Sequence, residues 1–451
     1  MNYLFFILPF ILYAGIALQT AGFIICFFLG PIFLIYKKSI IFNTSHFFSI
    51  SLLLFLLWGI FPLFNLLHFF FKFDSSLNWQ KLLSSHMGSS VLISSICLSA
   101  LALFQNHSKQ NNHKNYKIDN IRMLQSLLKG FLIASIIIFV YCLIQHITGF
   151  HILSKNFFLA QEHQMNSGTY RVFSFFGHPL TMASVSLAFF VFFTNLYLFL
   201  FDHSNNQVSK IIKLCIPIAL INFALIIFSG SRFAFLISFV YIFLFSFNLL
   251  KLKRKKNILV FLLIFSTLSV LAILKLGITA RILPFLYSFK LFDINSLNNN
   301  ILALSNFHRL VFWKVHFKMF EDSPWFGHSY AQIYSFLRTD YYNLLGYKDF
   351  PFHFNAHNIV LEFLVELGII GTFCFTFCIF KLFTLLKKLN GRHPRSLISS
   401  AIYKSLISAF LINLIHGFLL NTLFDSSLLI VYISLLFVYI FSRNLKIQKQ
   451  N

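Results

Sequence analysis

His357 opens an apolar segment in the run Asn355-Ala356-His357-Asn358, which continues through Leu361-Glu362 and Glu366-Leu367-Gly368. A titratable side chain where a chain enters a bilayer is costly unless it is functional or tightly paired. An imidazole at that point can serve as a general base; the plainer reading is a helix cap or a satisfied hydrogen-bonder. Glu362 and Glu366 lie one turn apart on a helical face and are nearly the only carboxylates within apolar segments, so each needs a partner. Glu366 either orients such a partner or holds the helix. Arg232, in Ser229-Gly230-Ser231-Arg232, is the only basic residue between Lys213 and Lys251. It either snorkels at a helix end or forms an anion site with the backbone N–H groups there. Arg309 heads a helical face with Trp313, His316 and Phe320, aromatic company that suits a guanidinium held for a ligand. Arg171 and Arg281 are further loop arginines, and Arg171, Arg281, Trp313, Asn358 and Glu366 are candidate substrate contacts.

The elements that must hold these residues are membrane helices. Of 451 residues, 58% are hydrophobic and 11% charged, and apolar runs of bilayer-spanning length recur along the chain. The formal charge of +24 comes mostly from short Lys/Arg tracts between those runs, such as Lys251 to Lys256 and Lys387 to Arg395. That spacing marks topogenic charges with some attraction to anionic membrane lipid, and excludes nucleic acid as a partner. The 65 Phe residues fit the codon usage of an AT-rich genome. All six Cys fall within apolar runs and form no CxxC, which makes them small buried residues rather than disulfides or metal ligands.

An all-α, polytopic fold follows, with twelve apolar segments at roughly 3–18, 21–36, 47–68, 85–104, 127–149, 178–201, 211–229, 232–250, 257–276, 357–386, 404–421 and 425–442. The chain divides into 1–276 with spans one to nine, a large loop at 277–356, and 357–451 with spans ten to twelve and a tail. The first apolar run lacks a basic leader and reads as a retained helix. With both termini in the cytoplasm, every short basic tract falls on the cytoplasmic side, and the outer side receives 151–177 and the long loop. Within that loop, 305–321 reads as a helix capped by Ser305 and ended by Asp322-Ser323-Pro324, with Gly327 allowing a turn. Lys314, Lys318 and Glu321 fall on the face away from Arg309. Trp325, Tyr341, Tyr342 and Tyr347 suit either a membrane interface or sugar stacking. HExxH, acidic metal clusters and Gly-rich nucleotide loops are missing, so neither a metal nor another cofactor is expected.

At these residues the chain resembles the O-antigen ligase and polymerase superfamily of bacterial envelope glycosyltransferases. Ser229-Gly230-Ser231-Arg232 is similar to the family's Ser-Arg signature between two spans. Arg309-Leu310 through Trp313, then Glu321-Asp322-Ser323-Pro324-Trp325-Phe326-Gly327, resembles its Arg-x(3)-Trp block ending in a Ser-Pro-x-x-Gly turn. His357-Asn358 with Leu361, Glu366, Gly368 and Gly371 resembles its His-Asn helix start. The Arg171-Val172 to His178-Pro179 block is similar to a further family segment. The likeness covers roughly 165–440, and it departs at His328, where the family often has a second Gly.

The resemblance implies a metal-independent, inverting transfer on the periplasmic face of the bacterial inner membrane. The donor would be a glycan on undecaprenyl diphosphate and the acceptor a sugar hydroxyl of lipid A-core or another glycan. Arg232 and Arg309 would bind the diphosphate and His357 would act as general base. A ligase is preferred over a polymerase joining repeat units. A protein O-oligosaccharyltransferase is disfavoured because the chain stops soon after its last span. A solute transporter is disfavoured because the dominant loop is external and no internal repeat appears.

Overall fold

The computed structural model describes residues 2–13, 120–152, 170–176, 178–201, 212–251, 267, 301–328, 332–347, 356–391 and 397–420, with 431, 432, 435, 436, 438 and 439 of the last segment. Regular structure among them is helical: α1 (Asn2–Tyr13), α2 (Asn120–Thr148), α3 (Pro179–Phe201), α4 (Cys215–Ser229), α5 (Arg232–Lys251), α6 (Ile301–Asp322), α7 (Gln332–Leu344), α8 (Ile359–Gly391) and α9 (Leu397–Leu420). Four stretches are long and apolar enough to cross a membrane: Leu124–Thr148, Pro179–Phe201, Ile359–Lys388 and Ile398–Gly417. Cys215–Ser229 and Arg232–Ser246 are shorter apolar helices. The spans expected at 21–36, 47–68 and 85–104 lie outside the described residues, as does 257–276 save for Thr267.

α3 is buried along nearly its whole length and packs against α4 and α9, while α2 packs against α1 and α4. Lipid tails are as apolar as leucine, so shape fit and polar contacts between helices hold such a bundle. The Tyr13 hydroxyl donates to Asn222 Oδ1 at 2.8 Å and lies 2.9 Å from Ser135 Oγ, tying α1 to α4 and α2. Thr194 and Tyr241 hydroxyls meet at 2.8 Å between α3 and α5. Leu236, Phe239, Val240, Phe243 and Leu244 of α5 recur at three- and four-residue intervals and face outward, the stripe a lipid-facing helix presents.

Three expectations are corrected. Ser305 does not start its helix; α6 begins at Ile301, because Ile301-Leu302-Ala303-Leu304 are good helix formers and carry it further. Cys142 and Cys215 are buried, but Cys374 is exposed on the outward face of α8. The segment expected as one span over 357–386 is broken at Gly368, whose φ of 63° and ψ of −173° leave the helix.

The break has a partner. α6, α7 and the start of α8 share a small core of Val311, Phe312, Val315, Met319, Tyr342 and Val365. After α6 the turn 323–328 inserts against the break. The Ile369 N–H donates to the Pro324 carbonyl at 2.8 Å, the Ile370 N–H to Trp325 at 3.2 Å, and the His328 N–H to Val365 at 2.7 Å. Gly327 (φ 70°) and Gly368 face each other: a Cβ on Gly327 would strike the Glu366 and Gly368 backbone, and one on Gly368 the Trp325 carbonyl. Both glycines are thus required by close approach as well as by conformation. His328, the residue departing from the family pattern, also donates through Nε2 to the Met319 carbonyl at 2.5 Å, closing the turn onto α6.

Candidate functional site

His357 sits in a turn rather than a helix. Asn358 is the N-cap of α8, its Oδ1 accepting from the N–H groups of Val360 at 3.0 Å and Leu361 at 3.1 Å. One residue before the histidine, the Ala356 N–H donates to Glu362 Oε2 at 2.7 Å, and the Ala356 carbonyl accepts from Trp313 Nε1 at 2.9 Å. His357 has φ of 50°, the left-handed region that few non-glycine residues occupy. Its half-buried ring lies 5.6 Å from that of Phe312, between centroids.

The α4–α5 turn supplies the opposite wall. Ser231 caps α5, its carbonyl accepting from the Phe235 N–H at 3.0 Å and its hydroxyl from the Ala234 N–H at 3.4 Å. Arg232 is therefore the first helical residue, half-buried at the positive end of α5. The strand-like segment from Tyr170 runs alongside this turn: the Val172 N–H donates to the Phe228 carbonyl at 3.1 Å. Arg171 Nε donates to the Ser229 carbonyl at 3.3 Å, and the arginine side chain covers Gly230. Gln145 Oε1 holds the far end of the segment, accepting from the Phe173 and Ser174 N–H groups at 3.0 and 2.9 Å. Arg309 arrives from α6 and lies 5.5 Å over the ring of Phe233, the neighbour of Arg232.

The electrostatics follow from burial and like charge. Desolvation, then Arg309, His178 and Arg338, push the His357 imidazole down to about 4. It is thus neutral, with a lone pair available, at any pH near neutrality. Burial also draws the Arg309 guanidinium below its ordinary value, though an arginine remains charged. His316, fully buried below, is pushed down to about 3 chiefly by burial, and its Nδ1 donates to the Phe312 carbonyl at 2.6 Å. Arg309 and Arg338 are the arginines that act on His357, and both favour an anion beside it.

The structure therefore brings Arg171, Arg232, Arg309 and His357 to one end of the bundle, from four separate segments. Arg281 lies outside the described residues. Trp313 and Asn358 line a groove of about 800 Å³ with Phe317, Leu345 and Leu364, and Lys314, Lys318 and Glu321 line it too. Glu366 is buried deeper along α8, under the electrostatic influence of Glu362 and Arg338. Two residues were missed as participants. Arg338 is the sole basic residue of α7, and that isolation among Tyr341, Tyr342 and Phe336 was its one sequence signal. His178 stands at the entry to α3, where its Nδ1 accepts from the Leu180 N–H at 3.1 Å. Among the described residues no three His, Cys, Asp or Glu side chains converge as a metal site would require.

A family model described as O-antigen ligase matches residues 217–376, a stretch that holds Arg232, Arg309, Arg338 and His357. Comparison with curated proteins gives no match.

Proposed function

We propose, from the O-antigen ligase family model that matches residues 217–376, that this chain is a lipopolysaccharide O-antigen ligase. It transfers a glycan from undecaprenyl diphosphate to a sugar hydroxyl of lipid A-core on the periplasmic face of the inner membrane. The observation that carries the reading is the meeting of a neutral, buried-edge histidine with arginines from separate segments. A diphosphate is a good leaving group, so the reaction needs charge stabilisation and one base rather than a general acid.

The roles follow. Arg309 and Arg232, the latter at the positive end of α5, hold the diphosphate and take up the negative charge that grows on its departing oxygen. The acceptor hydroxyl attacks the anomeric carbon from the opposite side, and its proton passes to the imidazole of His357. The new C–O bond forms as the bond to phosphate breaks, which inverts the anomeric centre. Trp313 and Asn358, which line the groove, give the acceptor sugar a stacking surface and a polar edge.

The test is surface glycan profiling of a deletion strain complemented with wild-type protein or with His357→Ala. Long chains should vanish from lipid A-core while polymer accumulates on its carrier, and His357→Ala should insert normally yet restore nothing. A product capped with a single repeat would instead assign a polymerase. Restored long chains with His357→Ala would remove His357 as the base.

A further inference from the structure

We propose that Glu362 and Trp313 are positioning residues for His357, acting together through the Ala356 peptide groups to hold the histidine in its left-handed turn. The inference rests on the reading of His357 as the base. Its physical ground is separate, because it concerns how the turn is held.

A left-handed φ at a non-glycine residue persists only where its surroundings over-determine it. His357, at φ of 50°, is such a residue. The two backbone groups of Ala356 flank the strained position. Glu362 takes the N–H at 2.7 Å from one turn further along α8, and the Trp313 indole takes the carbonyl at 2.9 Å from α6. One contact comes from the helix that follows the histidine and the other from a helix some forty residues earlier in the chain. The turn is therefore fixed against both walls at once. Asn358 starts α8 immediately after the histidine, so the N-cap fixes the exit of the turn as Ala356 fixes its entry.

Neither contact reaches the ring of His357. Their effect is on where the imidazole stands. A carboxylate accepting a backbone N–H makes one of the stronger kinds of hydrogen bond. An indole donor on a carbonyl, with its ring packed in the groove wall, adds a rigid stop. This gives Glu362 a use that the spacing of the carboxylates along α8 left open. It also separates Glu362 from Glu366, which lies one turn deeper along α8.

The distinguishing property is acceptance of one N–H, which a glutamine shares and an alanine lacks. The full-length protein in detergent is compared as wild type, Glu362→Ala, Glu362→Gln and Trp313→Phe. Two readouts are taken. One is the rate at which diethyl pyrocarbonate carbethoxylates His357, followed by mass spectrometry of its peptide. The other is the steady-state transfer of an undecaprenyl-diphosphate-linked glycan to purified lipid A-core. Glu362→Ala should label roughly tenfold faster at His357 and lose roughly tenfold or more in kcat, with donor KM nearly unchanged, as expected for the loss of one buried hydrogen bond. Glu362→Gln should stay close to wild type in both readouts, and Trp313→Phe should fall between. Wild-type labelling and kcat in Glu362→Ala would overturn the proposal, and so would Glu362→Gln as impaired as Glu362→Ala. A wild-type protein that transfers nothing in this assay would count against the ligase reading alone, because the labelling arm needs no turnover.

Discussion

Acidification separates a histidine held neutral by its surroundings from an ordinary one. At pH 5 an imidazole with the usual value of 6.5 is only about 3% neutral, whereas one pushed down to about 4 is about 90% neutral. If His357 in its neutral form is the base, kcat/KM at pH 5 should keep about nine-tenths of its value at pH 7.5, where an ordinary histidine would keep about one-thirtieth. The acid limb should appear only as pH falls through about 4, since the group works when unprotonated. The profile of kcat should differ. A bound diphosphate places negative charge among the cations that depress His357, and an opposite charge nearby raises a histidine by about one to three pH units. The kcat limb should therefore stand above the kcat/KM limb. Arg309→Gln removes the second-largest influence, so its kcat/KM limb should rise while staying below 6.5, burial being the first cause. The assay is initial-rate glycan transfer by purified protein between pH 3.5 and 8, with folding followed in parallel by intrinsic fluorescence. A wild-type kcat/KM limb near 6.5, or one that Arg309→Gln leaves in place, would refute the assignment of this environment to the base.

Two further outcomes test the clamp and its support. Arg232→Lys and Arg309→Lys should each lower kcat/KM by roughly tenfold or more, because a point charge replaces a bidentate fork and, at Arg309, a planar group stacked over Phe233; full activity in both would end the diphosphate role. Gly368→Ala puts a Cβ against the Trp325 carbonyl at a positive φ and should lower thermal stability in detergent by about 2 kcal/mol or more with loss of transfer; wild-type stability would end the claim that this glycine is required.

The membrane helices around the site were legible because their boundaries are local. Pro179 fixes the start of α3, and Ser229-Gly230-Ser231 divides α4 from α5 within the residues themselves. His357, Arg232 and Arg309 were legible because each is a polar exception in an apolar or aromatic setting. The break at Gly368 was not. Glu366-Leu367-Gly368-Ile369-Ile370 reads as continuous helix, and the groups that accept its released N–H donors belong to Pro324 and Trp325, far away in sequence. Arg338 and His178 were missed for a similar reason, since their influence on His357 exists only once α7 and the entry to α3 fold over it. The role of Glu362 was equally hidden, because its partner is a backbone N–H, which no residue type announces.

The joint between the turn 323–328 and Gly368 has a consequence for biogenesis. A helix interrupted in lipid must find partners for the backbone groups it releases, or remain continuous. The break at Gly368 therefore depends on the turn after α6, which accepts from the Ile369 and Ile370 N–H groups. Because α6 and its turn precede α8 in the chain, these acceptors are made before the helix that needs them. The break in α8 and the turn after α6 are thus one joint, and neither can be altered without the other.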